Sequence, residues 1–221
     1  MDYELNKLGF VRIPEFFSKE EVEAMRQLAL NYFEQGNGFS SDGGKAKPDW
    51  IKDEKLQELF EIVSKKDIES TVSELVGEEV SFVGHNDLHL NRTVGWHKDR
   101  LNGDVRKYET HEPWDTVEDQ TMKIFKVNIY LQDHTKNDDA LTVRVGSHRY
   151  PEMHRGTVQT LKPACGDILI FDQRISHCAR WSGGYNRLLI CMGYGVRNCF
   201  FDEFKKGTEV RQDSQNSRSK R

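Results

Sequence analysis

The hydrophobic pattern changes its period at Val80, and this change constrains the fold more than any other feature of the sequence. Apolar residues recur at helical spacing before it, whereas short extended runs follow one another after it, with no helical pattern between them. Candidate strands cover residues 80–90, 124–131, 141–145, 167–171 and 187–193, separated by clusters of Gly, Asp, Asn and Pro. Because a parallel sheet needs crossover helices between its strands, we predict a helical front and an antiparallel β body, built as a sandwich or a barrel.

The residues before Val80 predict one short strand and three helices. Residues 9–13 form an extended run that Pro14 ends, and Ser18 and Glu21 have the spacing of a capping box at the start of a helix. That helix has one apolar face and ends at Gly36. Two more helical patterns cover residues 56–63 and 68–75, while the glycine-rich residues 36–48 predict a loop.

The length and the charge of the chain limit its class. With 221 residues it can form one large domain, which we place at residues 1–204. A net charge of -4 excludes the strong basic field that nucleic-acid-binding proteins use. The apolar runs are too short for a membrane span of about 20 residues, and residues 1–9 do not have the pattern of a signal peptide. We therefore expect a cytoplasmic protein that acts on a small molecule, with no nucleic acid, membrane or obligate protein partner.

The cysteines and the C-terminal segment give two further predictions. Cys165, Cys178, Cys191 and Cys199 have no C-x-x-C spacing and lie in or beside apolar segments, which predicts reduced thiols in the core. Residues 205–221 contain six Lys or Arg, two acidic residues and almost no apolar residue after Val210. Such a segment cannot offset its ordering entropy by apolar burial, so we predict a disordered tail.

Four polar side chains are candidates for a functional site. In an extended segment residues i and i+2 point the same way, so His97 and Asp99 can offer an imidazole and a carboxylate to one point. A His-x-Asp triplet such as His97-Lys98-Asp99 also occurs by chance in sequences without a metal site. His177 follows a buried run and fits either a packed core residue or a third ligand. Arg187 suits a carboxylate if it points inward, because its planar fork forms two parallel hydrogen bonds, but on an edge strand it would face solvent.

Five motifs, in order along the chain, resemble those of the phytanoyl-CoA dioxygenase family of iron(II)- and 2-oxoglutarate-dependent oxygenases. They are Gly9-Phe10-Val11-Arg12-Ile13-Pro14, Trp96-His97-Lys98-Asp99, Val127-Asn128-Ile129-Tyr130-Leu131, Val143-Arg144-Val145-Gly146-Ser147-His148, and Gly166-Asp167-Ile168-Leu169-Ile170-Phe171 leading to His177 and Arg187. No single motif is specific, but their order covers nearly the whole chain. The resemblance implies a mainly β fold with flanking helices, whose core is a double-stranded β-helix, the cupin-like jelly-roll.

The resemblance also implies a catalytic site. His97, Asp99 and His177 match the metal-binding residues that hold iron(II) and leave three positions for 2-oxoglutarate and O2. Arg187 matches the residue that binds the far carboxylate of 2-oxoglutarate, and Asn128 is a further candidate contact. Leu189 departs from the family pattern, which commonly has a serine or similar small residue two positions after this arginine. Because Asp99 is a carboxylate, chloride has no vacant ligand position, and hydroxylation is favoured over halogenation.

We therefore expect a dioxygenase that hydroxylates a small organic substrate and releases succinate and CO2. Two alternatives keep the fold: a non-catalytic jelly-roll protein that binds small molecules, and a cupin-type enzyme that uses another metal. His85, Asp87 and His89 share one face of an extended run and are candidates for the substrate mouth, while residues 101–119 are a candidate lid. No basic cluster on a segment expected to be ordered favours the phosphates of coenzyme A.

Overall fold

The computed structural model describes residues 2–218, and this part of the chain contains five α-helices and eleven β-strands. The helices are α1 (Tyr3–Leu8), α2 (Lys19–Glu34), α3 (Gln57–Ser64), α4 (Ile68–Val76) and α5 (Cys199–Arg218). The strands are β1 (Phe10–Ile13), β2 (Phe39–Ser41), β3 (Gly44–Pro48), β4 (Val80–Leu90), β5 (Val94–His97), β6 (Ile124–Tyr130), β7 (Leu141–Arg144), β8 (Val158–Thr160), β9 (Ile168–Asp172), β10 (His177–Ala179) and β11 (Leu188–Val196).

The strands form two antiparallel sheets. The larger has the order β1-β9-β6-β11-β4-β3-β2, and the smaller has the order β5-β10-β7-β8. Neighbours in space are mostly distant in sequence, as expected when strands alternate between two packed sheets. The prediction of a mainly β jelly-roll with flanking helices is therefore confirmed.

The two faces of the larger sheet have different roles. On its outer face Val127, Ile129, Ile168 and Ile170 pack in one apolar cluster with helices α2, α3 and α4. Successive side chains of a strand point to opposite faces, so the alternate residues of β6 lie between the sheets. These are Lys126, Asn128 and Tyr130, and all three line the central cavity. One strand thus supplies the apolar core on one side and polar groups on the other.

The start of the chain agrees with its sequence pattern, but residues 36–48 do not. The capping box of Ser18 and Glu21 is present at the start of α2. Residues 36–48, predicted as a loop, contain the hairpin of β2 and β3, which pairs with the long strand β4. A Cβ atom at Gly44 would overlap the carbonyl oxygen of Leu90, so this strand contact requires glycine. The composition of residues 36–48 indicated a loop because it carries no sign of the partner strand β4, which lies about 40 residues further along the chain.

The prediction of a disordered tail from residue 205 was wrong for residues 205–218, which continue helix α5. Residues 219–221 lie outside the described part of the chain. Residues 205–218 dock through buried polar and small residues, whereas the apolar contacts of α5 come from Phe200, Phe201 and Phe204 before them. Thr208 and Gln212 are buried, and Gly207 packs directly against Leu101. The prediction failed because it counted only apolar burial as a source of order.

The cysteines are free thiols, and Cys178 and Cys191 are buried. Within residues 2–218, no helix is both long enough and apolar enough to cross a bilayer.

Candidate metal centre

Strands β5 and β10 of the smaller sheet bring His97 and His177 side by side. The two residues are direct partners in the antiparallel register of these strands. Asp99 follows β5, and its backbone N–H donates to the carbonyl oxygen of Gln173 at 3.2 Å. The structure therefore brings together the three predicted metal ligands, which are 80 positions apart at their most distant.

The ligand atoms of these residues converge on one point. The Oδ1 atom of Asp99 lies 3.3 Å from Nε2 of His97 and 3.8 Å from Nε2 of His177. One ligand atom from each residue lies within 4.8 Å of the other two. Two imidazole nitrogens and one carboxylate oxygen form the donor set that suits non-haem iron(II). Within residues 2–218, this is the one group of three or more such side chains that is close enough to hold a metal.

Backbone carbonyls fix the orientation of both imidazole rings. His97 Nδ1 lies 2.8 Å from the carbonyl oxygen of Gly95, and His177 Nδ1 lies 3.0 Å from that of Ile175. A carbonyl oxygen accepts only, so we assign the proton of each ring to Nδ1. Each Nε2 then presents a lone pair at the point where the ligands converge, which is the arrangement of metal-bound histidines.

The electrostatics of the three residues are tightly linked. Burial lowers the pKa of His177 to about 4. Burial also disfavours the charged form of His97, but its bond to Asp99 outweighs this effect and raises the pKa of His97. Burial alone would raise the pKa of Asp99, but His177, Lys126 and His97 hold that pKa well below its usual value. The carboxylate is therefore ionised, as a ligand of a metal cation must be.

Arg187 is a buried cation just before β11, with 1% of its surface exposed. Its Nε donates to the carbonyl oxygen of Asp139 at 2.5 Å and its Nη1 to that of Arg92 at 3.0 Å. Its Nη2 is buried without a hydrogen-bond partner, and no carboxylate of the described residues lies within ion-pair distance of the side chain. The outward-facing alternative is thus excluded. A buried, fixed guanidinium with a free N–H group is suited to bind a carboxylate.

Two more polar groups of β6 lie unpaired in the same cavity. The Oδ1 atom of Asn128 and the hydroxyl of Tyr130 are buried and have no hydrogen-bond partner. The guanidinium carbon of Arg187 lies 5.7 Å from the centre of the Tyr130 ring. Burial raises the pKa of Tyr130, so its hydroxyl stays protonated and can donate. Asn128 does not face solvent, although its contact with a co-substrate stays a prediction.

One cavity of about 420 Å³ connects all these residues with helix α5. The metal-ligand candidates, Arg187 and the polar residues of β6 line it together with three groups of other residues. These are His85, Asp87 and His89 of β4, then Leu101, Asn102 and Val105 of the candidate lid, and Phe204, Thr208, Arg211 and Gln215 of α5. The candidate mouth residues therefore do lie in the cavity.

The candidate lid is attached to helix α5. Residues 103–108 form a 3₁₀ helix, and the carboxylate of Glu203 in α5 accepts hydrogen bonds from the backbone N–H groups of Thr110 and His111 at 3.0 and 3.3 Å. The lid and α5 thus form one wall of the cavity. Whether this wall opens stays a prediction.

The cavity residues that sequence reasoning missed include Tyr130, Lys126 and Arg211. Lys126 is 2% exposed, and its Nζ lies 4.0 Å from Oδ2 of Asp99. The period of two along β6 was a signal for Tyr130 and Lys126, because both share a face with Asn128. Arg211 had no such signal, since its segment was predicted to be disordered.

Solved structures share this fold at low sequence identity. AviO1 from Streptomyces viridochromogenes Tue57 matches with a TM-score of 0.66 and 16% identity, over 87% of this chain and 92% of that protein. HygX from Streptomyces hygroscopicus, solved with nickel, 2-oxoglutarate and hygromycin B bound, matches with a TM-score of 0.64 and 18% identity, over 87% and 85%. SnoK, a non-haem α-ketoglutarate-dependent carbocyclase from nogalamycin biosynthesis, gives 0.63 and 18%, over 87% and 81%. These matches establish the jelly-roll fold of the 2-oxoglutarate-dependent enzymes.

The sequence itself identifies the family. A family model described as phytanoyl-CoA dioxygenase (PhyH) matches residues 5–182. The chain belongs to the phytanoyl-CoA dioxygenase family, and it is a non-haem iron oxygenase that depends on 2-oxoglutarate. No curated protein sequence matches it. Arg187 and helix α5 lie beyond the matched residues, so their roles are argued from the structure.

Proposed function

We propose that His97, Asp99 and His177 bind iron(II), and that Arg187 holds 2-oxoglutarate, in an enzyme that hydroxylates a small organic substrate. One observation carries the proposal: a single cavity contains three converging ligand atoms and a buried guanidinium without a carboxylate partner. A dicarboxylate with a 2-oxo group supplies what both lack, because one end can bind the metal and the other the arginine. HygX, solved with nickel and 2-oxoglutarate bound, supports this role for the fold.

The residues around Arg187 prepare the site for the co-substrate. Two of the N–H groups of Arg187 are tied to backbone carbonyls, so the remaining Nη2 is held in place before the co-substrate binds. Tyr130 is the direct register partner of Leu189, the residue that departs from the family pattern. We infer that the Tyr130 hydroxyl takes the place of the missing small polar side chain and donates to the same carboxylate. Asn128, on the same face of β6, adds an amide donor.

Bound iron(II), with 2-oxoglutarate and O2, supplies the oxidising power to break a C–H bond. The balanced reaction consumes the substrate R–H, 2-oxoglutarate and O2 and yields R–OH, succinate and CO2. Asp99 fills the ligand position that chloride would need, which favours hydroxylation. Because the structural neighbours SnoK and SnoN are named a carbocyclase and an epimerase, product analysis must also look for ring closure and inversion.

We also propose that the enzyme acts in the cytoplasm. Its four cysteines are free thiols, and the cytoplasm is the compartment that keeps thiols reduced. Cell fractionation with an antibody against the native protein tests this, and recovery from a secreted or periplasmic fraction would contradict it.

The site is tested anaerobically by adding iron(II) and 2-oxoglutarate to the purified protein and recording the visible metal-to-ligand charge-transfer band. We expect the band in the wild type and its loss in His97→Ala. Arg187→Ala should need about tenfold or more 2-oxoglutarate for half of the band, because a charge-assisted contact is lost. His154→Ala, at an exposed histidine, is the matched control and should behave as the wild type. A wild type without the band, or His97→Ala with the full band, contradicts the proposal.

A further inference from the structure

Lys126 places a buried ammonium group in the cavity without an anion of its own. Among the described residues, the one carboxylate within ion-pair distance of its Nζ is Asp99, at 4.0 Å, and Asp99 is a ligand of the proposed iron site. The ammonium otherwise lies 5.2 Å from the centre of the Phe204 ring, a favourable but weaker contact. An isolated buried charge is costly, so the loaded enzyme requires an anion near this residue.

Arg211 brings a second cation into the cavity from helix α5. Its Nη2 lies 3.0 Å from Nδ1 of His85 and 3.3 Å from both carboxylate oxygens of Asp87. These contacts hold the guanidinium against β4, and 29% of its side chain remains exposed. In the part of the chain that the structure describes, its Nη1 and Nε groups have no hydrogen-bond partner, which leaves two donor groups for a ligand.

The charges of the cavity leave one positive charge uncompensated. The cavity is lined by five cations, Arg92, Arg100, Lys126, Arg187 and Arg211, and by two carboxylates, Asp87 and Asp99. Arg92 is paired with Asp42, and Arg100 with Glu109 and Glu112, outside the cavity. The charges of iron(II) and 2-oxoglutarate cancel, and Asp87 and Asp99 offset two of the three remaining cations, Lys126, Arg187 and Arg211. One positive charge is left over, and burial keeps His85 neutral by lowering its pKa.

Resting on the proposed function, we propose that the substrate carries an anionic group, a carboxylate or a phosphate, that binds between Lys126 and Arg211. Both cations line the cavity, Arg211 in contact with His85. Thr208 and Gln215 of α5 add polar residues to the same lining. Leu101, Val105 and Phe204 form an adjoining apolar surface for the rest of the molecule. Helix α5, which lies beyond the residues matched to the family, thus selects the substrate.

The experiment uses three probes of similar size: phenyl phosphate, phenylacetate and the neutral benzyl alcohol. Each is titrated into the enzyme loaded with iron(II) and 2-oxoglutarate under anaerobic conditions, and the change in the charge-transfer band and in the thermal midpoint is followed. We expect saturable binding of an anionic probe and not of benzyl alcohol, and the tighter of the two anions distinguishes a phosphate from a carboxylate. Arg211→Gln and Lys126→Met should each weaken the binding of the anionic probe by about tenfold or more.

The controls are Arg155→Gln and Lys162→Gln, whose side chains form exposed ion pairs and should leave probe binding unchanged. If Arg211→Gln unfolds the helix, Lys126→Met decides, because it leaves the contacts of α5 with β4 in place. A normal band without anion binding, binding of the neutral probe as tightly as the anions, or equal anion binding in all variants overturns the inference. If the wild type shows no charge-transfer band but an anionic probe still raises its thermal midpoint, the result overturns the proposed function and supports the anion site.

Discussion

Strands β5 and β10 and helix α5 face the same cavity, but different interactions hold them there. The strands belong to a ladder of backbone hydrogen bonds, and their neighbours Leu141 and Val143 lie in an apolar cluster between the sheets. The part of α5 after Phe204 is held by Gly207 against Leu101, by Gln212 on the Gly84 carbonyl and by Arg211 on Asp87. The candidate metal centre therefore lies within the hydrogen-bonded strands, whereas residues 205–218, which carry part of the proposed anion site, are attached by a few polar and close contacts.

The residues proposed to bind iron(II) and the helix proposed to bind the substrate therefore lie in parts of the fold that are held by different interactions. The metal-ligand candidates lie within the residues that match the family, and α5 lies beyond them. Changes in α5 can alter charge and shape at one end of the cavity without disturbing the pairing of His97 with His177. Substitutions in the two regions should therefore have different signatures: loss of turnover for the metal-ligand candidates, and loss of stability with the pairing of His97 and His177 intact for the helix.

The largest effect is expected for Asp99→Ala. It removes one of the three ligand atoms, so iron-dependent formation of succinate should fall by more than about 100-fold, since changes around metal ligands alone cost about 10- to 100-fold. The thermal midpoint should fall as well, because the substitution removes the one carboxylate of the described residues that lies within ion-pair distance of the buried Lys126. Succinate release with added iron(II) is the measurement, and His154→Ala is the control. Turnover close to that of the wild type would rule out Asp99 as a ligand.

The sequence predicted the strand region well because its signals are local. Alternation places His97 and Asp99 on one side, and the apolar runs of β6, β9 and β11 indicate buried strands. The resemblance then related His177 and Arg187 to the first pair. What alternation alone did not establish was that the polar face of β6 lies inside, because a strand with one polar face also fits a sheet that faces water.

The hairpin and helix α5 were missed for a common reason. Neither has a clear local pattern of apolar burial: β3 buries only Ala46 and Pro48, and residues 205–218 are mostly polar. Both depend on the long strand β4, which offers an edge to β3 and the Gly84 carbonyl and Asp87 carboxylate to α5. A partner about 40 or 125 residues away leaves no signal in the composition of the segment that it orders.

The second prediction tests whether α5 is packed as described. Gly207→Val adds a branched side chain where a Cβ atom already overlaps Leu101, so the free energy of unfolding should fall by about 1–3 kcal/mol. The control Glu209→Val places the same side chain at an exposed position of the helix, where we expect at most about 0.5 kcal/mol. Urea denaturation measures both. Equal stabilities of the two variants would show that residue 207 does not contact the lid.

The third prediction has the smallest expected effect. It tests whether the end of α5 packs against β4 or only folds as a helix. Gln212 is buried, and its Nε2 donates to the carbonyl oxygen of Gly84 at 3.1 Å. Gln212→Ala should lower the free energy of unfolding by only about 1 kcal/mol, because that carbonyl keeps a second donor, the side-chain amide of Asn86 at 2.9 Å. Ser214→Ala, at an exposed position two residues on, should instead be neutral or stabilising by about 0.5 kcal/mol, since alanine is the better helix former.

A helix that formed without docking would be stabilised by both substitutions, because both introduce alanine. Urea denaturation measures both changes in the free energy of unfolding. Changes of opposite sign require the contact with β4, whereas changes of the same sign would mean that this bond does not hold the cavity wall beside Arg211.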